Sequence, residues 1–385
     1  MINFAPIKIS QINPPLLSPS EAYLPKVPPI TLELTSQCNL KCPYCANPSL
    51  ARSYMSMDSS LIEKIAREAA EEGFEIMSLH GVGEPLLRKD LREILALLTK
   101  LGVWRGWMTS NGTLLTPERA ASLYEVGLRG LYISIDTLDA DMYKRTRGGK
   151  LPKVIENIRK TAKAHPGITF MVGLMEHKEQ TKISPELIEL FYETFDHLPN
   201  ISHHVAVNFR FPGAAEDWQI GSAEAALLDS CTQMAYHYTI DAEGRVALCC
   251  VDQNTEHVLG NVTQRRIKDI WFDRDNQETF RNIFLGLSGC PGVCYKCVLK
   301  KNQRSLADVD PALTLPYTQI ELQASAALEA GEMNRAKGLY EHLFRLDPWN
   351  TELQSFIRET FSSKEKHSFF RSEANEIQPA ADGSA

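Results

Sequence analysis

The sequence predicts an α/β protein: a partial (βα)6 barrel over residues 30–212, a small cysteine-rich module over 213–304, and a C-terminal helical hairpin over 305–361. Three observations predict it. Between 30 and 212, apolar strand-like runs alternate with amphipathic segments, as a parallel sheet with crossover helices requires. The nine cysteines fall in two groups, with none between Cys45 and Cys231. Helical periodicity then returns over 316–361. Six βα units are too few for a closed eight-stranded barrel, so an open one with a laterally accessible mouth is expected.

Residues 1–29 are Pro-rich ("NPPLLSPSEAYLPKVPP") and read as an extended arm over the surface. The strand candidates are "ITLELT" (30–35), "FEIMSLHG" (74–81), "WRGWMTSNG" (104–112), "GLYISID" (130–136), "ITFMVGL" (168–174) and "HHVAVNFRF" (203–211). Helical segments lie between them, and Asp58, Thr116-Pro117 and Ser184-Pro185 supply start signals for three. In the barrel's last strand His203 and His204 alternate, so at most one faces the interior. His80 precedes a Gly-rich turn, and Trp104 and Trp107 read as packing residues. Residues 213–230 read as a linker with a short helix. "IDAEGRVALCCVD" (240–252) reads as a hairpin ending in thiols. In "AALEAGEMNRAKGLYEHLFRLDPWN" (326–350), Gly331, Ala336, Tyr340, Leu346 and Pro348 stand at the offsets of a tetratricopeptide repeat. One repeat cannot bury its own apolar face, so it must dock on the body or on a protein partner. Residues 362–385 read as a disordered tail.

With 385 residues and net charge −7, the chain offers no dense basic run, which argues against a nucleic-acid partner. No apolar stretch approaches a bilayer span and the N-terminus lacks a signal-peptide layout, so no membrane and a cytoplasmic location are expected. In that compartment nine cysteines need an explanation other than structural disulfides, and clustering of this kind is what metal ligation predicts.

The first group is Cys38-x3-Cys42-x2-Cys45, on the loop leaving the first strand. Three soft thiolates on one loop suit an iron–sulfur cluster with one iron left open to another ligand; zinc would demand a fourth ligand, absent from this loop. Here the chain resembles the radical S-adenosylmethionine (radical SAM) enzymes, whose hallmark is this spacing with an aromatic residue, Tyr44, before the last cysteine. The resemblance covers about residues 30–212 and implies a TIM-like partial barrel, a [4Fe–4S] cluster on Cys38, Cys42 and Cys45, and bound SAM. By the same resemblance, "GVGEP" (81–85), carried by Gly83 and Glu84, meets the SAM amino group. It likewise places Asn111 of "SNG", Ser134 and Asp136 of "SID", Arg147 of "KRTRGG", and Tyr44 around the rest of that cofactor. The implied chemistry is reductive cleavage of SAM to a 5′-deoxyadenosyl radical that abstracts a substrate hydrogen atom. Barrel and protein supply positioning and exclude water. An electron donor such as flavodoxin or ferredoxin is implied as partner.

The second group is Cys231, Cys249, Cys250, Cys290, Cys294 and Cys297. With Gly244-x4-Cys249 it resembles the SPASM or shortened "twitch" extension of radical SAM enzymes, which carries auxiliary [4Fe–4S] clusters. Six cysteines, not seven, point to one cluster, with Cys231, Cys249, Cys294 and Cys297 as ligands; a four-thiolate zinc knuckle competes with it. Cys250 and Cys290 are then left over as candidate catalytic hydrogen donors, which would make the reaction a redox-neutral epimerisation rather than an oxidation; an inert buried thiol is the plainer reading of either. Relatives of this architecture act on peptides, protein side chains, or sugar and cyclitol alcohols. Residues 1–29 are too few for a peptide-binding domain, so a peptide substrate would be presented by another protein or by the helical hairpin. A non-catalytic iron–sulfur or zinc scaffold with a partner-binding tail is the rival from another class.

Overall fold

Strand formation in this chain follows its β-branched and aromatic runs, and the sheet they build positions everything else. The computed structural model describes residues 16–175, 183–206, 231–287, 290–297, 307 and 309–361. Among these, the barrel strands are β1 (Ile30–Leu32), β2 (Ile76–Ser78), β3 (Trp107–Ser110), β4 (Gly130–Asp136), β5 (Thr169–Met175) and β6 (Ile201–Ala206). The neighbours β1–β2 and β3–β4–β5–β6 pair in parallel, and single parallel bridges, Ile76 to Trp104 and Leu79 to Met108, join β2 to β3. The result is a partial parallel barrel in chain order, as expected.

Between the strands run α1 (Ser59–Glu72), α2 (Leu91–Lys100), α3 (Pro117–Tyr124), α4 (Ala140–Arg147), α5 (Leu151–Ala164) and α6 (Pro185–Thr194). The three start signals work as their chemistry dictates. Asp58 accepts the Ser60 amide, Thr116 that of Arg119, and Ser184 that of Leu187. Gly73 closes α1 at φ +76°, a conformation costly for any side chain. Helix α4 was not expected; Asp139 caps it by accepting the Met142 amide at 2.6 Å. Period-two alternation sorts β4: Leu131, Ile133 and Ile135 are fully buried, whereas Tyr132 and Ser134 line an interior cavity. Trp107 packs flat against Gly130, where no side chain would fit.

The cysteine-rich module holds α7 (Gln233–Tyr236), β7 (Tyr238–Ile240), β8 (Arg245–Ala247), β9 (Val258–Asn261), α8 (Ile267–Trp271), α9 (Arg274–Phe284) and α10 (Gly292–Lys296). Strands β7 and β8 form the expected hairpin. Strand β7 also runs parallel along β1, Ile30 opposite Tyr238 and Leu32 opposite Ile240, so the module continues the barrel's sheet in the order β2–β1–β7–β8–β9.

Three helices follow: α11 (Tyr317–Glu329), α12 (Met333–Leu346) and α13 (Thr351–Phe361). They dock on the body through residues 22–26 of the N-terminal arm, where the chain turns inward instead of staying on the surface. Ala22, Tyr23 and Leu24 are fully buried because the arm's backbone finds partners inside: the Leu24 amide donates to Gln277 Oε1 (2.8 Å), and its carbonyl accepts from Trp271 Nε1 (3.3 Å). Tyr23 Oη lies 2.9 Å from His342 Nε2, both rings edge-on to Phe284, and Lys26 pairs with Asp347 at 2.7 Å. No helix among the described residues is long and apolar enough to cross a membrane. The expected linker over 213–230 and tail over 362–385 lie outside the described residues.

Candidate cofactor and substrate site

Cys38, Cys42 and Cys45 lie on the loop after β1, with Leu40, Tyr44 and Met175 packed around them. The loop's own amides turn toward sulfur: Leu40 N lies 3.5 Å from Cys38 Sγ, and Asn47 N 3.4 Å from Cys45 Sγ. Burial pushes all three thiols up, Cys45 to about 12, so they hold protons that a metal would displace on binding.

Two buried carboxylates fix the neighbouring loops. Glu84 accepts from Ser110 Oγ (2.9 Å) and from the amides of Asn111 (2.7 Å) and Leu86 (3.0 Å), tying the loop after β2 to the end of β3. Burial pushes its carboxyl above the usual carboxylate range, against the pull of those donors. With its side chain thus engaged, Glu84 acts here as a structural post. Gly83 has a steric reason to be glycine: a Cβ would run into the Thr35 carbonyl and lie 2.7 Å from that of Gln37. Glu33, inside β1's continuation, is 3% exposed and was not singled out from the sequence. It pairs with both terminal nitrogens of Arg52 at 2.7 Å and accepts the amides of Val82 (2.9 Å) and Ala242 (3.2 Å). A charge in the middle of the apolar run "ITLELT" was the signal that could have found it.

Tyr44, Asp136 and Arg147 come together in one buried group. Tyr44 Oη donates to Asp136 Oδ2 at 2.6 Å, while Arg147 forms a two-pronged pair with the same carboxylate at 2.7 and 2.6 Å. Asp136 sits at φ +67°, a left-handed position that Asp and Asn tolerate better than other side chains. Its oxygens are engaged by protein, so Asp136 orients Tyr44 and Arg147, which line the cavity, as does Ser134. Asn111 lies 3.9 Å from Cys38 Sγ through Nδ2.

This cavity, of about 360 Å³, lies between the barrel strands and the cysteine-rich module. On the barrel side it meets Tyr44, Ser134, Arg147 and His204; on the module side, Gln233, His237 and Cys250. His204 faces in, while His203 turns away to Tyr192 Oη at 3.0 Å, as the alternation requires. Burial pushes the His80 and His237 imidazoles down to about 4, so both are neutral near pH 7.

The second cysteine group divides in three. Cys231, Cys249, Cys294 and Cys297 line one pocket together with Leu248, Ile283 and Val293. Cys250 faces the larger cavity instead, and burial pushes its thiol up to about 12. Cys290 lines neither: it is buried with Sγ 3.1 Å from the Leu287 carbonyl, a core thiol rather than a group open to substrate. All nine cysteines are thiols without disulfides. Thiol sets with amides turned toward sulfur suit iron–sulfur ligation. Among the described residues no three His, Cys, Asp or Glu side chains converge on a single point.

Comparison with known proteins agrees with this division. Residues 32–183 match the Radical SAM superfamily, and residues 231–298 match SPASM, an iron–sulfur cluster-binding domain. PqqA peptide cyclase of Rhodopseudomonas palustris is 33% identical over 164 residues, 42% of each chain. GTP 3′,8-cyclase of Pelotomaculum thermopropionicum is 36% identical over 153 residues, 38% of this chain and 46% of its own. The chain thus spans less than half the length of these curated relatives. Among solved structures, native anSMEcpe with bound AdoMet aligns with TM-score 0.52 at 16% identity, covering 86% of this chain and 99% of that one; its complex with AdoMet and Kp18Cys peptide gives 0.51. At that identity the likeness is one of fold.

Proposed function

From the match of residues 32–183 to the Radical SAM superfamily and of residues 231–298 to SPASM, we propose that this chain is an enzyme that removes a hydrogen atom from a substrate held between the two domains. The cofactors this domain pair implies are a [4Fe–4S] cluster with S-adenosylmethionine, and auxiliary iron–sulfur. In the proposed site, Cys38, Cys42 and Cys45 hold the first cluster, and Cys231, Cys249, Cys294 and Cys297 an auxiliary one. A [4Fe–4S] cluster held there would supply the electron for reductive cleavage of SAM to methionine and the 5′-deoxyadenosyl radical. The chain's own residues do the rest. Gly83 lets the loop after β2 close against the β1 loop, where its main chain would meet the SAM amino group. Tyr44 and Arg147, braced by Asp136, and Ser134 line the side where the nucleoside would lie. With substrate filling it, the cavity between barrel and module would limit water at a reactive carbon centre.

The observation that carries this reading is the cavity itself, which connects the residues beside the first cysteine loop to the Cys250 side of the second group. Its test is anaerobic reconstitution with iron and sulfide, reduction with dithionite, and assay for 5′-deoxyadenosine from SAM. Product supports the enzyme; its absence from cluster-loaded protein favours the scaffold. A peptide substrate draws support from PqqA peptide cyclase and from the peptide bound to anSMEcpe, and a sugar- or cyclitol-type alcohol is the small-molecule counterpart. Cys250 favours a second reading, epimerisation, because its protonated thiol faces the same cavity and can return a hydrogen atom. Solvent deuterium entering the product, and lost with Cys250→Ala, distinguishes it from oxidation. A flavodoxin- or ferredoxin-type donor, a cytoplasmic setting, and a tetratricopeptide-like role for α11–α13 in partner binding complete the proposal.

A further inference from the structure

A set of hydrogen bonds crosses from the module to the segment that carries Cys45. Gln253 Oε1 accepts the Ala46 amide at 3.1 Å and lies 3.9 Å from Cys45 Sγ. The Gln253 carbonyl accepts from Arg52 Nε (3.0 Å), Asn254 Oδ1 accepts the Ala51 amide (3.0 Å), and Glu243 Oε1 accepts the Ser53 amide (3.2 Å). On the opposite side, Asn47 Nδ2 donates to the carbonyls of Ser36 (2.7 Å) and Val82 (2.9 Å), so the barrel holds one side of the turn and the module the other.

We propose that Gln253 is a positioning residue for the first cysteine loop: by holding the peptide after Cys45 it keeps the Asn47 amide aimed at Cys45 Sγ, and so sets the reduction potential of the group bound there. The inference rests on the reading that this loop carries an iron–sulfur cluster. Hydrogen bonds to cluster sulfurs stabilise the more electron-rich reduced state, so an amide kept on target raises the potential. The module then tunes the first site through a contact, independently of any electron it exchanges.

Two variants of the full chain test this. Gln253→Leu keeps the volume and removes the acceptor; Gln253→Glu keeps an acceptor. By hydrogen exchange of metal-free protein, the 45–54 segment of Gln253→Leu is expected to exchange about three- to tenfold faster, the loss of one hydrogen bond, with β4 and β5 unchanged and Gln253→Glu protected as in the parent. After anaerobic reconstitution, the paramagnetic signal that responds to SAM should titrate at a more negative potential in Gln253→Leu. Equal exchange, an unshifted potential, or faster exchange spread equally over β4 and β5 would overturn the assignment. A parent protein that shows no SAM-responsive signal would instead overturn the reading of the first loop, while the exchange comparison would still decide whether Gln253 holds it.

Discussion

Replacing Glu33 by Gln changes almost no volume and removes one charge from a side chain that is only 3% exposed. Glu33 Oε2 accepts from Arg52 Nη2 and the Val82 amide, while Oε1 accepts the Ala242 amide and lies 2.7 Å from Arg52 Nη1 as an ion-pair contact. In the amide, one of these oxygens becomes an NH2 group facing two donors. Where that oxygen is Oε2, one charged and one neutral hydrogen bond are lost, about 2–4 kcal/mol together. Breaking a buried ion pair whose surviving partner is only 4% exposed gives about 3–5 kcal/mol by a separate route. The two agree on a loss near 3–4 kcal/mol. Urea unfolding of metal-free protein, followed by tryptophan fluorescence, measures it for Glu33→Gln, Arg52→Met and the double variant. Because each single change strands the other partner, the double variant should cost at least about 2 kcal/mol less than the two singles together. A Glu33→Gln cost below about 1 kcal/mol, or simple additivity, would refute the argument that this pair clamps β1, the loop after β2 and the β7–β8 hairpin.

Gly83→Ala should weaken SAM binding at least tenfold in equilibrium dialysis, because its Cβ cannot coexist with the Thr35 carbonyl; unchanged affinity would show that the loop has slack. Cys42→Ser and Cys294→Ser should each retain about four of about eight irons per chain, whereas Cys250→Ala should retain all of them, by iron analysis after anaerobic reconstitution. His342, buried against Tyr23, has its imidazole pushed down to about 4 by burial, from an ordinary value near 6.5. A depressed histidine contributes stability fully above pH 6.5 and loses it as pH falls from 6.5 toward 4, up to about 3 kcal/mol. His342→Gln should flatten that part of the stability profile, and identical profiles would count against the assignment. Asp136→Asn tolerates the same backbone but leaves Arg147 buried without a counter-charge, so it should lose about 3–5 kcal/mol in urea unfolding.

What the sequence showed plainly was local. Period-two runs announced the strands, Asp58, Thr116 and Ser184 announced helix starts, and three cysteines at fixed spacing announced the first loop. Helix α4 escaped because "ADMYKRTR" carries three basic residues and only two large apolar ones, little of an apolar stripe. The clamp of Glu33, Arg52 and Gln253 escaped for another reason: its members are far apart in sequence, and no local pattern marks the acceptor for a distant amide. The arm misled because proline richness speaks of an extended backbone and says nothing of what covers it. Burial of Tyr23 depends on α9 and α12, more than two hundred and fifty residues downstream. Among the leftover cysteines, composition could not separate Cys250 from Cys290; only the fold turns one toward a cavity and the other toward a carbonyl.

Strand β7 supplies the Ile240 carbonyl to the Glu33 amide and takes the Pro29 carbonyl with its Tyr238 amide, which gives the two homology regions a shared seam. Cutting the chain ahead of Cys231 would strip that seam and bare a row of unpaired donors and acceptors along Ile30–Leu32, the kind of margin that recruits a second molecule. Pieces that look separable on a linear map are therefore mechanically one body, and a shortened barrel would be expected to clump before it could be assayed.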